Sequence, residues 1–388
     1  MQPFVLTVAD LRARGGVKWR GIDQDVLPAS GADMDFAVAE PVQQAIARVV
    51  DSEDYGYPLR SAESRVDAAF AARMLERFGW GLDQAHVLVV DSLLQALMAC
   101  LMAFGRRGDG VVLQAPFFFP FVDVIASAGR RAVPVPLVDD GSRLAVDPDA
   151  LRAAVDEGCR ILLLCNPHNP TGRVLERAEL EAIGRLATDR DLVVVSDEVH
   201  CDLVYPGARH LPMAAIGPEI AARTVTINSA SKCFNISGLR CAVMHFGSHE
   251  LLRRFRRFIP AQLLGAANVI GWDATVAAWR EGQPWLDQVM GLLAANRSRV
   301  ARWAAEQDIG HHAPEATYLA WLDCRRLPLD GPAHDFFLRR ARVALLDGAP
   351  FGPGGEGHVR LNFATSEPIL GEILDRLSTA LAHVRAGA

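Results

Sequence analysis

The chain has 388 residues, half of them hydrophobic and 22% charged, with a formal net charge of −6 and a pI near 6.0. At the usual ~100–200 residues per domain, that length suits two or three domains with sizeable cores. Its basic residues are scattered, so the electrostatic footprint that a nucleic-acid partner requires is missing.

The first stretch, MQPFVLTVADLRARGG, is broken by Asp10 and Arg12 before an apolar core can form, and it does not read as a secretory signal. Leu93–Phe104 (LLQALMACLMAF) is the best membrane candidate, but it is shorter than the ~20 residues of a span and follows Asp91 and Ser92 directly. A buried helix fits it better, and no membrane partner is expected. The seven cysteines, at 100, 159, 165, 201, 233, 241 and 324, are odd in number and lack C-x-x-C spacing. That argues against a disulfide framework and a zinc site, and points to a reducing, cytoplasmic compartment.

From about residue 85 to 230, short β-rich apolar runs alternate with helix-length segments: VLVV at 87, VVLQ at 111, ILLLC at 161, LVVVS at 192 and TVTIN at 224. Runs apolar on both faces, so spaced, predict an α/β fold with a mixed, mainly parallel sheet covered by helices. After about residue 275 the pattern changes to longer amphipathic helices, the strand-like ATYLAWLD and HVRLNFA, and a closing helix from Glu367 to Val384. The expected organisation is a large domain over 48–275 and a smaller α+β domain made of 1–47 with 276–388. In open α/β sheets, sites lie at the carboxyl ends of the strands.

Four polar segments fall at such ends: NPHNPTG at 166, SDEVH at 196, SASKCFNISGLR at 229 and VRLNF at 359. A lone lysine at a strand end is ordinarily solvated surface. Lys232, leaving the buried run TVTIN in this company, suits a desolvated amine able to form a Schiff base. Asp197, ending LVVVS, can hold a ring nitrogen protonated. A strand ending Asp-Glu also matches a nucleotide-binding acid, but no G-x-x-x-x-G-K-[ST] loop is present. The two Asn-Pro pairs force turn geometry and can present Asn169 as a donor, where an isolated pair would be only a turn. Arg240 and Arg360 are the candidate anion holders. Ser92 to Leu94, opening a helix, offers free backbone N–H groups to a phosphate. Gly352–Gly357 (GPGGEG) formally matches G-x-G-x-x-G, but it contains Pro353 and leads into a strand, so it reads as a loop.

Together these residues resemble fold-type I pyridoxal-phosphate enzymes, the aspartate aminotransferase superfamily, over nearly the whole chain. Within it the pattern is most similar to the MalY/PatB branch of cystathionine β-lyases. The stretches that carry this are KW at 18, LP at 27, ADMDF at 32, YGY at 55, GW at 79, SDEVHCDLVY at 196, SKCFNISGL at 231 and EATYLAWLD at 315. The resemblance implies pyridoxal 5'-phosphate bound to Lys232, with Asp197 on the pyridine nitrogen and Asn169 on the ring hydroxyl. It implies phosphate contacts from Ser229, Arg240, Ser92, Leu93 and Leu94, with Phe118 stacked on the ring and His200 beside it. Arg360 and Gly31 would bind the amino-acid substrate. Tyr55 or Tyr57 would reach the phosphate of a partner subunit in a homodimer. Three positions depart from the branch, which usually has Tyr at Phe118, Gly at Ser92 and Trp at Ser30.

The implied reaction is α,β-elimination on an S-substituted cysteine, cystathionine-like or a conjugate from natural-product biosynthesis, giving thiol, pyruvate and ammonia. Transamination, or a decarboxylating variant, needs the same residues. A pyridoxal-phosphate-binding regulatory protein is the alternative outside enzymes.

Overall fold

The computed structural model describes residues 4–57, 65–156, 158–260 and 264–387. Numbered along the chain, the strands of its two larger sheets are β1 (Val87–Val90), β2 (Gly110–Ala115), β3 (Arg131–Pro136), β4 (Cys159–Cys165), β5 (Val193–Asp197), β6 (Thr224–Asn228), β7 (Ala242–Phe246), β8 (Leu319–Asp323), β9 (Leu346–Asp347) and β10 (His358–Asn362). The first seven form one sheet in the order β1-β7-β6-β5-β4-β2-β3. Only β7 runs against its neighbours; the remaining pairs are parallel.

All five expected runs are strands of this sheet. Two more were not expected. β3 (RAVPVP) carries two prolines, which ordinarily demote a run, and it lies at the sheet edge, where a missing N–H does no harm. β7 (AVMHF) follows the lysine segment directly and turns back antiparallel.

Strand alternation sorts the core. Ile161 and Leu163 of β4, with Val193 and Val195 of β5, pack on one face; Leu162, Leu164 and Val194 pack on the other. The first face is covered by α1 (Leu93–Phe104), α2 (Pro120–Ser127) and, further along the chain, α4 (His249–Phe258), through Leu97, Leu101, Phe121, Ile125, Leu251 and Phe255. α3 (Arg177–Asp189) covers the second with Leu180, Ile183 and Leu186. A period of two splits each strand between both layers, which is why these runs read as continuously apolar.

The later residues build a separate antiparallel sheet, β8-β10-β9, in which Trp321 lies opposite Arg360. Two long helices follow the expected pattern: α5 (Gln283–Glu306) and α6 (Glu367–Gly387), the closing helix. Leu27 and Pro28 pair in parallel with Val343 and Ala344, bringing the N-terminal segment to this part. The GPGGEG stretch is a turn that enters β10 and opens no helix. Its Gly352 has φ +85° and a Cβ there would meet the Phe117 ring at 2.4 Å, so glycine is required for both reasons. Among the described residues no helix is long and apolar enough to cross a membrane.

Ile161 is fully buried between β2 and β5. Truncation to alanine should lower the free energy of unfolding by about 2–5 kcal/mol, read as a lower urea midpoint with an unchanged denaturant slope.

Candidate active site

Sheet topology gathers the site at one edge. β4, β5 and β6 end there, and β7, being antiparallel, begins there. Its register places Val90 opposite Ala242, so Asp91, Arg240 and Cys241 meet just beyond. A cavity of about 400 Å³ opens at this edge, and its lining includes Asp91, Ser92, Leu93, Leu94, Phe118, Asn169, Asp197, His200, Ser229, Ser231, Lys232, Ser237, Arg240 and Ala32.

Asp197 is the last residue of β5 and is 6% exposed. Its Oδ1 accepts from the Val199 amide at 3.1 Å, and among the described residues no cation is bonded to it. Burial pushes its carboxyl up to about 7; adjacent Glu198 adds to the rise, while the Val199 amide and the Lys232 charge oppose it. Behind it, Glu198 accepts from Ser196 Oγ at 2.8 Å and the Met213 amide at 3.0 Å, with His210 Nε2 at 3.1 Å. These contacts fix the end of the strand.

Lys232 Nζ donates to the Ala32 carbonyl at 3.0 Å and lies 3.5 Å from Ser237 Oγ. Burial lowers its pKa below the usual ammonium value, with Asp33 and Asp197 opposing and Arg360 adding to the effect. His200 is held down to about 3 by burial and by the Lys232 and Arg360 charges, so its ring is neutral. Its Nδ1 has no hydrogen-bond partner among the described residues, and it sits edge-on to Tyr318 at 6.1 Å.

The NPHNPTG loop has both Asn-Pro bonds cis and is tied down by Asn166 Oδ1 accepting from the Leu175 amide at 3.0 Å. Arg360 Nη1 donates to Asn169 Oδ1 at 2.8 Å. A guanidinium can only donate, so this contact fixes the amide with its NH2 free for the cavity. Arg360 therefore stands one residue behind the cavity wall. Its Nη2 reaches the Ser30 carbonyl at 3.1 Å, it lies over Phe351 at 5.2 Å, and burial lowers its pKa to about 10.

Ser92 is the N-cap of α1, its Oγ accepting from the Gln95 amide at 3.4 Å. Its hydroxyl thus serves the helix, and the free donors are the Leu93 and Leu94 amides of the first turn, which have no preceding carbonyl to meet. Ser229 Oγ donates to the Cys241 carbonyl at 2.6 Å. Ser231, not predicted, lines the cavity; among the described residues its hydroxyl has no hydrogen-bond partner, which makes it the more available donor. Arg240, held in left-handed backbone at φ 52°, pairs with Asp91 at 2.9 Å. Phe118 packs edge-on to Phe121 at 5.4 Å. Gly31 lies next to the wall, its carbonyl bonded by Asn362 Nδ2. Tyr55 and Tyr57 lie outside the cavity, on the surface.

Sequence reasoning missed Ala32, Asp91, Ser231 and Ser237. The two serines flank Lys232 and were visible. Asp91 could be found only from the β1–β7 register, and Ala32 contributes a backbone carbonyl, which no side-chain motif announces. The set fits pyridoxal phosphate: a buried carboxylate lacking a cation, a free amide donor, a desolvated lysine and a helix N-terminus share one cavity.

The family described as aminotransferase class I and II matches residues 30–377. The chain is 38% identical over 403 positions to a provisionally named cystathionine beta-lyase of Mycobacterium leprae (strain TN), covering 98% of each. It is 32% identical to cystathionine beta-lyase PatB of Bacillus subtilis (strain 168), covering 92% of this chain and 93% of that protein. The crystal structure of the PLP-bound C-S lyase from Staphylococcus hominis is similar with a TM-score of 0.91 at 27% identity, covering 97% of this chain and 98% of that one.

The raised Asp197 carboxyl has a consequence for stability without cofactor. Its folded value, about 7, exceeds the ordinary 3.8, so between these pH values the folded state holds a proton that the unfolded state has lost. Stability from this group falls as pH rises through that window. Melting of cofactor-free Asp197→Asn against wild type should show the asparagine variant gaining by up to about 1.4 kcal/mol per pH unit toward pH 7. A constant difference would show that Asp197 is ionised throughout.

Proposed function

The chain belongs to the aminotransferase class I and II family, and from that premise we propose that it is a pyridoxal-phosphate-dependent carbon–sulfur lyase. Its substrate would be an S-substituted cysteine, either a cystathionine-like thioether or a related conjugate, and its products a thiol, pyruvate and ammonia. The observation that carries this reading is the cation-free Asp197 carboxylate buried in one cavity with Lys232. Relatives named as cystathionine beta-lyases, aligned over nearly the full chain, favour elimination.

Bound in the cavity, the cofactor supplies an electron sink for the charge left when the Cα proton departs. The chain's residues do the rest. Asp197 keeps the ring nitrogen protonated by offering it a buried anion. Asn169, oriented by Arg360, donates its free NH2 to the ring hydroxyl. The Leu93 and Leu94 amides, Ser231, Ser229 and Arg240 hold the phosphate, and Phe118 covers one face of the ring. Lys232 would hold the cofactor and, once free, would take the Cα proton; burial lowers its pKa and so favours the neutral amine that this task needs. Arg360 receives the substrate carboxylate by exchanging the Ser30 carbonyl for it. Phe118 has no hydroxyl and so moves no proton at the leaving thiol. The homodimer is part of the proposal, with the exposed Tyr55 or Tyr57 reaching the phosphate of the neighbouring subunit.

Cofactor-loaded protein supplied with S-substituted cysteines, cystathionine among them, and no keto acid should release thiol and pyruvate. Lys232→Ala should lower turnover by about 10²–10⁴-fold. Amino transfer that requires a keto acid, with no thiol released, would make the protein an aminotransferase instead. Arg360→Lys should raise KM at least about tenfold, about 1.4 kcal/mol of lost carboxylate binding.

A further inference from the structure

Residues 29–36 run past Lys232 as an irregular strap between the short strand Leu27–Pro28 and the helix Glu40–Ser52. Six of its eight carbonyls are held by side chains. Ser30 accepts from Arg360 at 3.1 Å, and Ala32 accepts from Lys232 at 3.0 Å and from the Tyr318 hydroxyl at 2.8 Å. Asn362 Nδ2 donates to Gly31 and, at 2.8 Å, to Asp33. Asn235, three residues after Lys232, donates to Met34 at 2.9 Å and Phe36 at 3.0 Å, and accepts from the Met34 amide at 3.0 Å. The reacting amine and the arginine behind Asn169 are thus both registered on the strap's backbone.

The strap is fixed from its other side by a buried charge pair. Lys18 Nζ donates to Asp35 Oδ2 at 2.9 Å and to the Asp33 carbonyl at 3.3 Å, and Trp19 Nε1 donates to Asp35 Oδ1 at 2.6 Å. The Lys18 and Asp35 side chains are only 4% and 2% exposed. Taking two such ions out of water costs several kcal/mol each, and well-packed apolar side chains of similar size would hold the segments together at least as firmly. What the ion pair adds is direction: three donors from Lys18 and Trp19 set where the backbone of residues 33–35 lies, and the Ala32 carbonyl is one peptide away.

We infer that Lys18, Trp19 and Asp35 form a clamp that places the Ala32 carbonyl and, through it, Lys232 Nζ, which makes Lys18 a positioning residue for the reaction. The inference rests on the reading of Lys232 as the lysine that holds the cofactor and moves the proton. Asp33, Asp197 and Arg360 also act on that amine, but none of them donates to its acceptor, the Ala32 carbonyl, which the Tyr318 hydroxyl bonds as well.

The test uses full-length wild type, Lys18→Met, Lys18→Arg and Trp19→Phe, each stripped of cofactor and given pyridoxal phosphate again. Covalent attachment at Lys232 is followed by absorbance, then trapped with borohydride and located by mass spectrometry, alongside thermal melting. Lys18→Met should attach about tenfold to a hundredfold more slowly, the penalty expected for misplacing a reacting group, and kcat should fall with it. Lys18→Arg should recover most of the rate, and Trp19→Phe should lie between. A folded Lys18→Met protein that attaches at the wild-type rate, however reduced its melting temperature, overturns the inference. Should that variant not fold, a wild-type rate in Trp19→Phe overturns it equally. Failure of wild type itself to attach cofactor at Lys232 overturns instead the functional reading beneath it.

Discussion

A carboxylate buried at the end of a central strand, with no cation bonded to it among the described residues, is the condition that the rest of the site answers. Asp197 sits between two parallel neighbours, opposite Cys165 and Ile227, and faces only the cavity, while the Ser196–Glu198–His210 contacts fix the strand end behind it. Ionised and alone it would be costly, and its proton is accordingly held up to about 7. A ligand that brings a cationic ring nitrogen removes that penalty, so the cavity favours a charge type before any other contact forms. Lys232, the NPHNPTG loop and the start of α1 are then arranged around the ring that such a nitrogen implies.

The opposite wall comes from far away in sequence. The strap of residues 29–36 and the strand β10 contribute the Ala32 carbonyl and Arg360, and neither belongs to the seven-stranded sheet. Their hold on the site passes through hydrogen bonds to single atoms: Arg360 to Asn169 Oδ1, Lys232 to Ala32 O. Small displacements of the strap therefore act on chemistry while leaving the core intact.

Much of this was legible in the sequence because strand ends announce themselves. VLVV, LVVVS and TVTIN each end at a polar residue that lines the cavity or leads into its lining, so a parallel-sheet reading already placed Ser92, Asp197 and Lys232 on one edge. Asn169 and His200 came with their loops. What stayed hidden depended on register and on atoms without a side-chain signature. The Asp91–Arg240 pair follows from β7 lying antiparallel beside β1, a strand not foreseen. The resemblance put Ser229 on the phosphate; that its hydroxyl also donates to the Cys241 carbonyl, and that Ser231 lines the cavity beside it, could not be read from the sequence. Arg360 was expected on the substrate carboxylate, and its bond to Asn169 Oδ1, which the sequence did not show, gives it a second task of orienting that amide.

The central claim is that the buried Asp197 carboxylate holds a ring nitrogen protonated. The most direct measurement is the nitrogen NMR shift of ring-labelled pyridoxal phosphate bound to wild-type protein and to Asp197→Ala near pH 8. A protonated ring nitrogen in wild type and a neutral one in the variant is the predicted result; a neutral nitrogen in wild type would contradict the account.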